Sequence, residues 1–466
     1  MTKTLFFAGA IYIGLLVVFT LVTKSKEKDS KTYFLAGANL GSFLGLFTFA
    51  ATLFSTFTLL GMPDFFRTHG VGAWIFLAVS DMVMVFGILA VGYYLRRKTK
   101  GQEYLGMSGF MERCYESRLA GIVAFVGAFI FLIPYVAIQI RGVAIFLVEA
   151  FENGPPLWVY ALAIVVIMLI YSEIGGLKAI IYSDTLQGIL LLIVIWIIGI
   201  RCLNEMGGLA GTFQKIGAQN EALLSVPGPK GLFNFQFLFS SMVAICMIPF
   251  TQPQVSTRLI IMKSEKSLFR TAIGLGTFAI LVILPTVFLG MYGALNYPEA
   301  STSEFLGRTL VHDQPGFLGA FVLIGLVAAA ISTADSQIFA LGGETRSLLQ
   351  GEDRSMVNRA RISILVFAAL ALIFALLSSD ELVLLARSSF AGTALLAPMI
   401  FTGIFYDRSR FLVSIPWVTL GAIFVMILSQ LDFIGSVVGG VRVDLLLLII
   451  LSLYALLQIG IDKQRT

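Results

Sequence analysis

Long apolar runs decide what this chain can fold into. About 13 of them, at residues 4–23, 42–66, 72–95, 119–150, 156–174, 179–200, 235–256, 271–296, 315–347, 361–379, 381–406, 411–431 and 443–461, are roughly 20 residues or more in length. That length lets a helix cross a hydrocarbon core about 30 Å thick. Only 13% of the 466 residues are charged, against about 25% in an average soluble chain. Period-2 alternation is absent, which argues against an outer-membrane barrel. The expectation is an all-α polytopic membrane protein of about 13 transmembrane helices, forming one domain over 1–466. The first run has one lysine before it and no small-residue cleavage site after it, so it reads as a helix that stays.

The connections alternate in basic content. One set holds 23 of the 32 lysines and arginines, among them Lys24, Arg96, Arg113, Lys178, Arg258, Lys263, Arg346, Arg408 and Lys463. The other set, with the N-terminus, holds Lys3, Arg67, Arg201, Lys215, Lys230, Arg308 and Arg442. The positive-inside rule then puts the N-terminus outside and the C-terminus in the cytoplasm, with the chain multi-pass in the cell membrane. Orientation accounts for the net charge of +5 without a nucleic-acid partner. Membrane lipid is the expected surrounding, and no obligatory protein partner is evident.

Cys114, Cys202 and Cys246 fall in separate segments, and His69 and His312 stand alone in predicted loops. No disulfide framework, zinc site or catalytic constellation follows, which argues against an enzyme.

One helix carries a row of oxygens. In Ala328-Ala329-Ala330-Ile331-Ser332-Thr333-Ala334-Asp335-Ser336, positions 329, 332, 333 and 336 are three or four apart and share a face. A carboxylate in an otherwise apolar helix is costly unless paired, and its presence marks a functional position. The row offers half of a small-cation site.

Two runs contain breakers. The second is dense in Ala, Ser and Thr from Thr48 to Thr58 and ends in Gly61-Met62-Pro63; the seventh carries Pro249-Phe250-Thr251-Gln252-Pro253-Gln254. Proline frees carbonyls that need other partners. The two runs lie five apart, as first members of two five-helix halves, and interrupted helices at matching positions of two halves point to a transporter binding site.

Four motifs together resemble the sodium:solute symporter family. They are Tyr33-Phe34-Leu35-Ala36-Gly37; Glu173-Ile174-Gly175-Gly176-Leu177-Lys178-Ala179 with Ser183-Asp184-Thr185-Leu186-Gln187-Gly188; the Ala329–Ser336 helix; and Gln252-Pro253 with Arg258 and Lys263-Ser264-Glu265-Lys266-Ser267. The resemblance implies a LeuT-type 5+5 inverted repeat with one extra helix at 4–23 and two C-terminal helices at 411–461. The first repeat and the start of the second would occupy 42–256, and the second repeat 235–406. It implies a sodium ion held by the carbonyls of Ala51, Phe54 and Ala329 and the hydroxyls of Ser332 and Thr333. Neutral oxygens suit this hard cation and bind it weakly enough for release. Asp184, Asp335 and Ser336, with Ser332, would form a second ion site or an exit path; Asp184 also reads as a helix N-cap beside Thr185.

Thr52, Ser55, Gln139, Arg141, Thr251 and Gln252 are candidates for the solute cavity. Arg141 could clamp a carboxylate, or pair with Asp81. Arg387 reads as paired near Asp380 and Glu381, or as snorkelling. The Pro134-Tyr135…Gln139…Arg141-Gly142 pattern is similar to the monocarboxylate and pantothenate branches of the family. The expected activity is sodium-coupled symport of a small organic anion. Proton coupling, an amino-acid or sugar substrate, and a non-transporting solute sensor are the alternatives; no kinase or receiver segment follows Gly460. Broken inverted helices argue for alternating access over an open pore.

Overall fold

The protein is described from a computed structural model. It covers residues 2–23, 35, 39–100, 104, 106–151, 154–349 and 353–465, without side chains at 2–4, 19–23, 171–176, 353–355 and 357. The Tyr33–Gly37 motif apart from Leu35, and the side chains of 173–176, therefore lie outside the described residues.

The chain begins with α1 (Thr2–Thr23). The second span is α2 (Ser42–Leu53) and α3 (Met62–His69), joined through a π-helical turn at Phe57–Gly61. Gly70, at φ +85, ends α3. The span Ile75–Thr99 contains α4 (Ser80–Gly87) and α5 (Tyr93–Thr99). Then come α6 (Met107–Tyr115), α7 (Arg118–Ala150), α8 (Leu157–Glu205) and α9 (Gly208–Asn220). The next broken span is α10 (Phe235–Thr251) and α11 (Pro253–Ile261), followed by α12 (Glu265–Asn296) and the short α13 (Thr302–Gly307). The oxygen-bearing helix is α14 (Gly316–Leu348), and α15 (Asp353–Leu377), α16 (Leu382–Ala394), α17 (Ala397–Phe405) and α18 (Ser414–Gln430) follow it. A two-residue hairpin, β1 (Val437–Val438) and β2 (Val441–Arg442), leads into α19 (Val443–Gln464).

Among the described residues, eight helices are long and apolar enough to cross a membrane, or up to ten if each of two bent pairs is one span. The bent pairs are α2 with Phe57–His69, at 57°, and α10 with α11, at 55°. Both breaks fall where the sequence places them. Three more runs lie on shorter apolar helices at Leu5–Val18, Leu157–Ile170 and Ser414–Gln430, so thirteen spans remain an expectation.

One boundary differs. Separate helices are expected at 156–174 and 179–200, yet the backbone is helical throughout Leu157–Glu205. The two glycines between them weaken a helix by about 1 kcal/mol each but, unlike proline, remove no backbone donor.

The bundle presents Phe6, Ile13, Trp158, Ile167, Ile373 and Leu453 outward, an apolar exterior suited to lipid. Inside, glycine allows close crossings. A Cβ at Gly142 of α7 would stand 2.4 Å from Thr56 Cγ2, and one at Gly392 of α16 would stand 2.1 Å from the Phe131 ring. These contacts draw α7 and α16 in around the break of the second span.

Candidate ion and solute site

Helix α2 stops because Phe54 turns extended, at φ −98 and ψ 116, with its N–H bonded back to Ala50 O at 2.7 Å. Ser55 starts the next half-helix: its hydroxyl accepts from Phe57 N at 3.3 Å, and its own N–H donates to Thr58 Oγ1 at 3.2 Å. A break at membrane depth leaves carbonyls without intrahelical partners, and neighbouring hydroxyls take them up. Tyr135 of α7 donates to Leu53 O at 2.9 Å. Thr333 of α14 donates to Ala51 O at 2.9 Å, and the Ser332 hydroxyl lies 3.3 Å from the same carbonyl.

Three of the five expected sodium ligands thus converge: the Ala51 carbonyl and the Ser332 and Thr333 hydroxyls. Phe54 and Ala329 are buried on the same facing elements. The donor set is neutral, oxygen-only and sealed from solvent, and it fits a small hard monovalent cation. Among the described residues no cluster of three or more His, Cys, Asp or Glu could hold a metal.

Beside this set lies a buried ion pair. Arg258 Nη2 donates to Asp184 Oδ2 at 3.0 Å and to Ser336 Oγ at 2.7 Å. Its Nε donates to Thr48 Oγ1 at 2.9 Å, and its Nη1 to Gln254 O at 2.5 Å. Asp184 also accepts from Thr48 Oγ1 at 2.6 Å and, on its other oxygen, from Ser332 Oγ at 2.5 Å. Ser332 therefore touches both the Ala51 carbonyl and Asp184.

Two expectations are corrected here. Asp184 is no N-cap, since it sits inside α8. Arg258 is not a cytoplasmic loop residue: α11 resumes helically at Pro253 and carries Arg258 inside a run that stays apolar through Leu259, Ile260, Ile261 and Met262. That continuing run was the available signal. Thr48 is a further residue the sequence reading missed. Thr52, expected in the solute cavity, joins this inner network, donating to Thr48 O at 2.7 Å and lying 3.4 Å from Ser336 Oγ.

Asp335 is buried, and neither of its oxygens has a hydrogen-bond partner among the described residues. Nearby on α8, Gln187 Nε2 donates to Tyr12 OH of α1 at 2.7 Å, leaving Gln187 Oε1 unpartnered.

The second break organises amides. Gln252 is the extended residue between α10 and α11, at φ −105 and ψ 119. Its Nε2 donates to Thr393 Oγ1 of α16 at 3.4 Å, and its Oε1 accepts from Gln254 Nε2 at 2.7 Å. Gln139 Nε2 donates to Tyr135 O at 3.2 Å. Thr251 donates to Met247 O at 3.0 Å within its own helix.

The remaining arginines are engaged differently from expectation. Arg141 donates to Asp380 Oδ1 at 2.7 Å and Ala375 O at 2.8 Å, not to Asp81. Arg387 pairs with Asp444 rather than with Asp380 or Glu381, and donates to Ser240 and Ser241 at 2.7 Å each. Both partners lie on elements distant in sequence, which charge spacing along one helix cannot reveal.

Compared with known proteins, residues 33–411 match the family model described as the Sodium:solute symporter family. The chain is 23% identical over 437 residues to the sodium/pantothenate symporter of Haemophilus influenzae, covering 89% of this chain and 87% of that one. It is 24% identical over 449 residues to the osmoregulated proline transporter OpuE of Bacillus subtilis, covering 90% and 87%. Among solved structures it is similar to a substrate-bound, outward-open Na+-coupled sialic acid symporter. That match has a TM-score of 0.78 at 17% identity and covers 98% of this chain and 95% of that one.

Proposed function

The chain belongs to the sodium:solute symporter family, and from that premise we propose that it imports a small organic solute by sodium-coupled alternating access. As a member it is a multi-pass membrane transporter, not an enzyme. One observation carries the ion assignment: two hydroxyls of α14 meet a carbonyl freed at the α2 break. Ala51, Phe54, Ala329, Ser332 and Thr333 would bind the ion, whose entry fixes the broken span against α14 without needing a charged ligand. Asp184, Asp335 and Ser336 would form its route toward the cytoplasm or a second ion position, where Arg258 competes with the cation for Asp184.

The 57° and 55° bends, which fall on apolar runs five apart in the sequence, support the inverted-repeat reading. The distribution of lysine and arginine supports an external N-terminus and a cytoplasmic C-terminus. For the solute, an organic anion such as a monocarboxylate or a pantothenate-like compound fits the pattern around Arg141; an amino acid is the next choice. The unpartnered Asp335 gives proton coupling its one specific support. Uptake into proteoliposomes decides between the ions. An imposed sodium gradient should drive accumulation, and uptake that ignores sodium but follows a proton gradient would sink the sodium assignment.

A further inference from the structure

The face that α1 turns to the bundle does not close on it. Leu5, Gly9, Tyr12, Ile13, Leu16 and Val17 form one stripe of that helix, recurring three or four residues apart. Low on the stripe, Tyr12 and Leu16 pack with Ala328 and Ile324 of α14 and with Leu186 and Leu190 of α8. Beside that contact the helices part around a groove of about 620 Å³, whose other walls come from α7, α8 and α14, among them Phe151, Ile167 and Ile331. Gly9 leaves a notch in the stripe. A Cβ there would meet nothing within 4 Å, in contrast to Gly142 and Gly392, where a neighbouring helix fills the space.

The walls select the occupant. Every lining side chain is apolar except Tyr12, and its hydroxyl is taken by Gln187 Nε2. A hollow without a free donor or acceptor has nothing to hold an ordered water, and it suits a hydrocarbon. Ile13, Val17, Ile167 and Ile170 also stand about half exposed on the outside of the bundle, so the groove opens sideways to the lipid. Its length is that of one leaflet. Leu5 to Val17 spans about 18 Å of helix at 1.5 Å per residue, against about 15 Å for half of the hydrocarbon core. A helix from a second copy, of that length and 10 Å across, would need about 1,400 Å³, more than twice what the groove offers.

We infer that the groove is a binding site for one phospholipid acyl chain, drawn from the leaflet that holds the N-terminus of α1. The chain runs from Leu5 toward Val17, between α1 and the bundle, and passes Tyr12 and Ile331. Ile331 directly precedes Ser332 and Thr333, so the acyl chain backs the turn of α14 that carries the proposed ion ligands. The site needs only a bundle set in a bilayer and stands apart from the symport reading.

The test takes the purified full-length protein in a mild detergent and reads bound phospholipid by native mass spectrometry. The wild type should keep one phospholipid per chain. Gly9→Phe places a ring in the groove where no neighbour stands in its way, and should cut the lipid-bound fraction at least tenfold. Gly14→Phe changes an equally open position of α1 outside the groove, and should leave that fraction unchanged. A phospholipid with a diazirine on its acyl chain, photolysed in liposomes holding the wild type, maps the site without any variant, and so decides even if Gly9→Phe fails to fold. Labelling should centre on residues 5–17 and 323–331. The inference is overturned by a wild type that retains no phospholipid, by equal retention in Gly9→Phe, or by labelling spread evenly over the lipid-facing α15 and α19. A disulfide-linked dimer of Gly9→Cys would put a second copy in the groove and overturn it as well.

Discussion

Arg258 and Asp184 meet at 3.0 Å with side chains 2% and 0% exposed. They come from α11 and α8, and each uses most of its remaining hydrogen-bonding capacity on hydroxyls or carbonyls around it. A buried pair of this kind contributes little net stability against an apolar substitute, but losing one partner strands a charge.

Arg258→Ala and Asp184→Ala should therefore each destabilise the protein by about 3–5 kcal/mol. The double variant should melt above either single one, because no lone charge remains. Arg258→Lys should rescue poorly, since a single ammonium cannot reproduce the guanidinium fork. Thermal unfolding in detergent reads all four, and additive losses in the double variant would count against the pairing.

At the proposed ion site, Thr333→Ala and Ser332→Ala each remove one hydroxyl worth about 1–1.5 kcal/mol. The half-saturating sodium concentration in transport should rise by about tenfold, more than that for solute. Ser332→Ala should also disturb Asp184, its second contact. An equal rise for sodium and solute would place these hydroxyls outside the ion's ligand shell.

Glu344 of α14 caps α6 from outside, accepting from Met107 N at 2.7 Å and Ser108 N at 2.6 Å on separate oxygens. Glu344→Gln turns an NH2 toward one of those donors, and the lost cap should cost about 1–2 kcal/mol. Hydrogen exchange should then accelerate about tenfold or more across α6 and little elsewhere. Unchanged exchange over residues 107–115 would show that α6 is held by something else.

Cys114, on α6 outside the spans, gives a pH signature. Burial pushes its thiol up to about 11 from an ordinary 9.0. Below pH 9 the thiol is protonated in folded and unfolded chains alike. Above it the unfolded chain ionises first, so this residue's effect lowers stability as pH rises from about 9 toward 11. Maleimide labelling of the folded protein, with Cys202→Ser and Cys246→Ser to isolate the site, should stay slow at pH 8. Rapid labelling there would contradict the burial of this thiol.

Arg387→Met leaves Asp444 paired with Arg442 alone and frees Ser240 and Ser241, untying α16 from α10 and α19. The melting temperature should fall, and Arg387→Met with Asp444→Leu should recover part of the loss. Failure of the double change to recover any stability would mean that the serine contacts, not the ion pair, dominate.

Much of this was legible from the chain. The breaks announced themselves through Pro249, Pro253 and the Ala, Ser and Thr around Ala51, because freed backbone needs small polar neighbours. Helical spacing put Ser332 and Thr333 on one face of α14, and the family resemblance implied their meeting with Ala51. The burial of Arg258 was signalled by the apolar run that continues past it, but its partner was not, since the carboxylate lies 74 residues away. Arg141 and Asp380 are 239 residues apart, and pairing over such distances is set by which helices pack together. The unbroken α8 was missed because two glycines and flanking charges imitate a loop.

The bond from Gln187 to Tyr12 reaches outside the proposed repeat. Gln187 follows Asp184 by three residues on α8 and so rides on the same helical face, while Tyr12 belongs to a helix that otherwise turns Phe6, Phe7, Ile13 and Val17 toward lipid. Any movement of α8 that carries Asp184 must carry Gln187 too, and must either drag α1 through the bilayer or release Tyr12. The buried network around Asp184 is thereby tied, through one phenol, to a helix that faces the lipid.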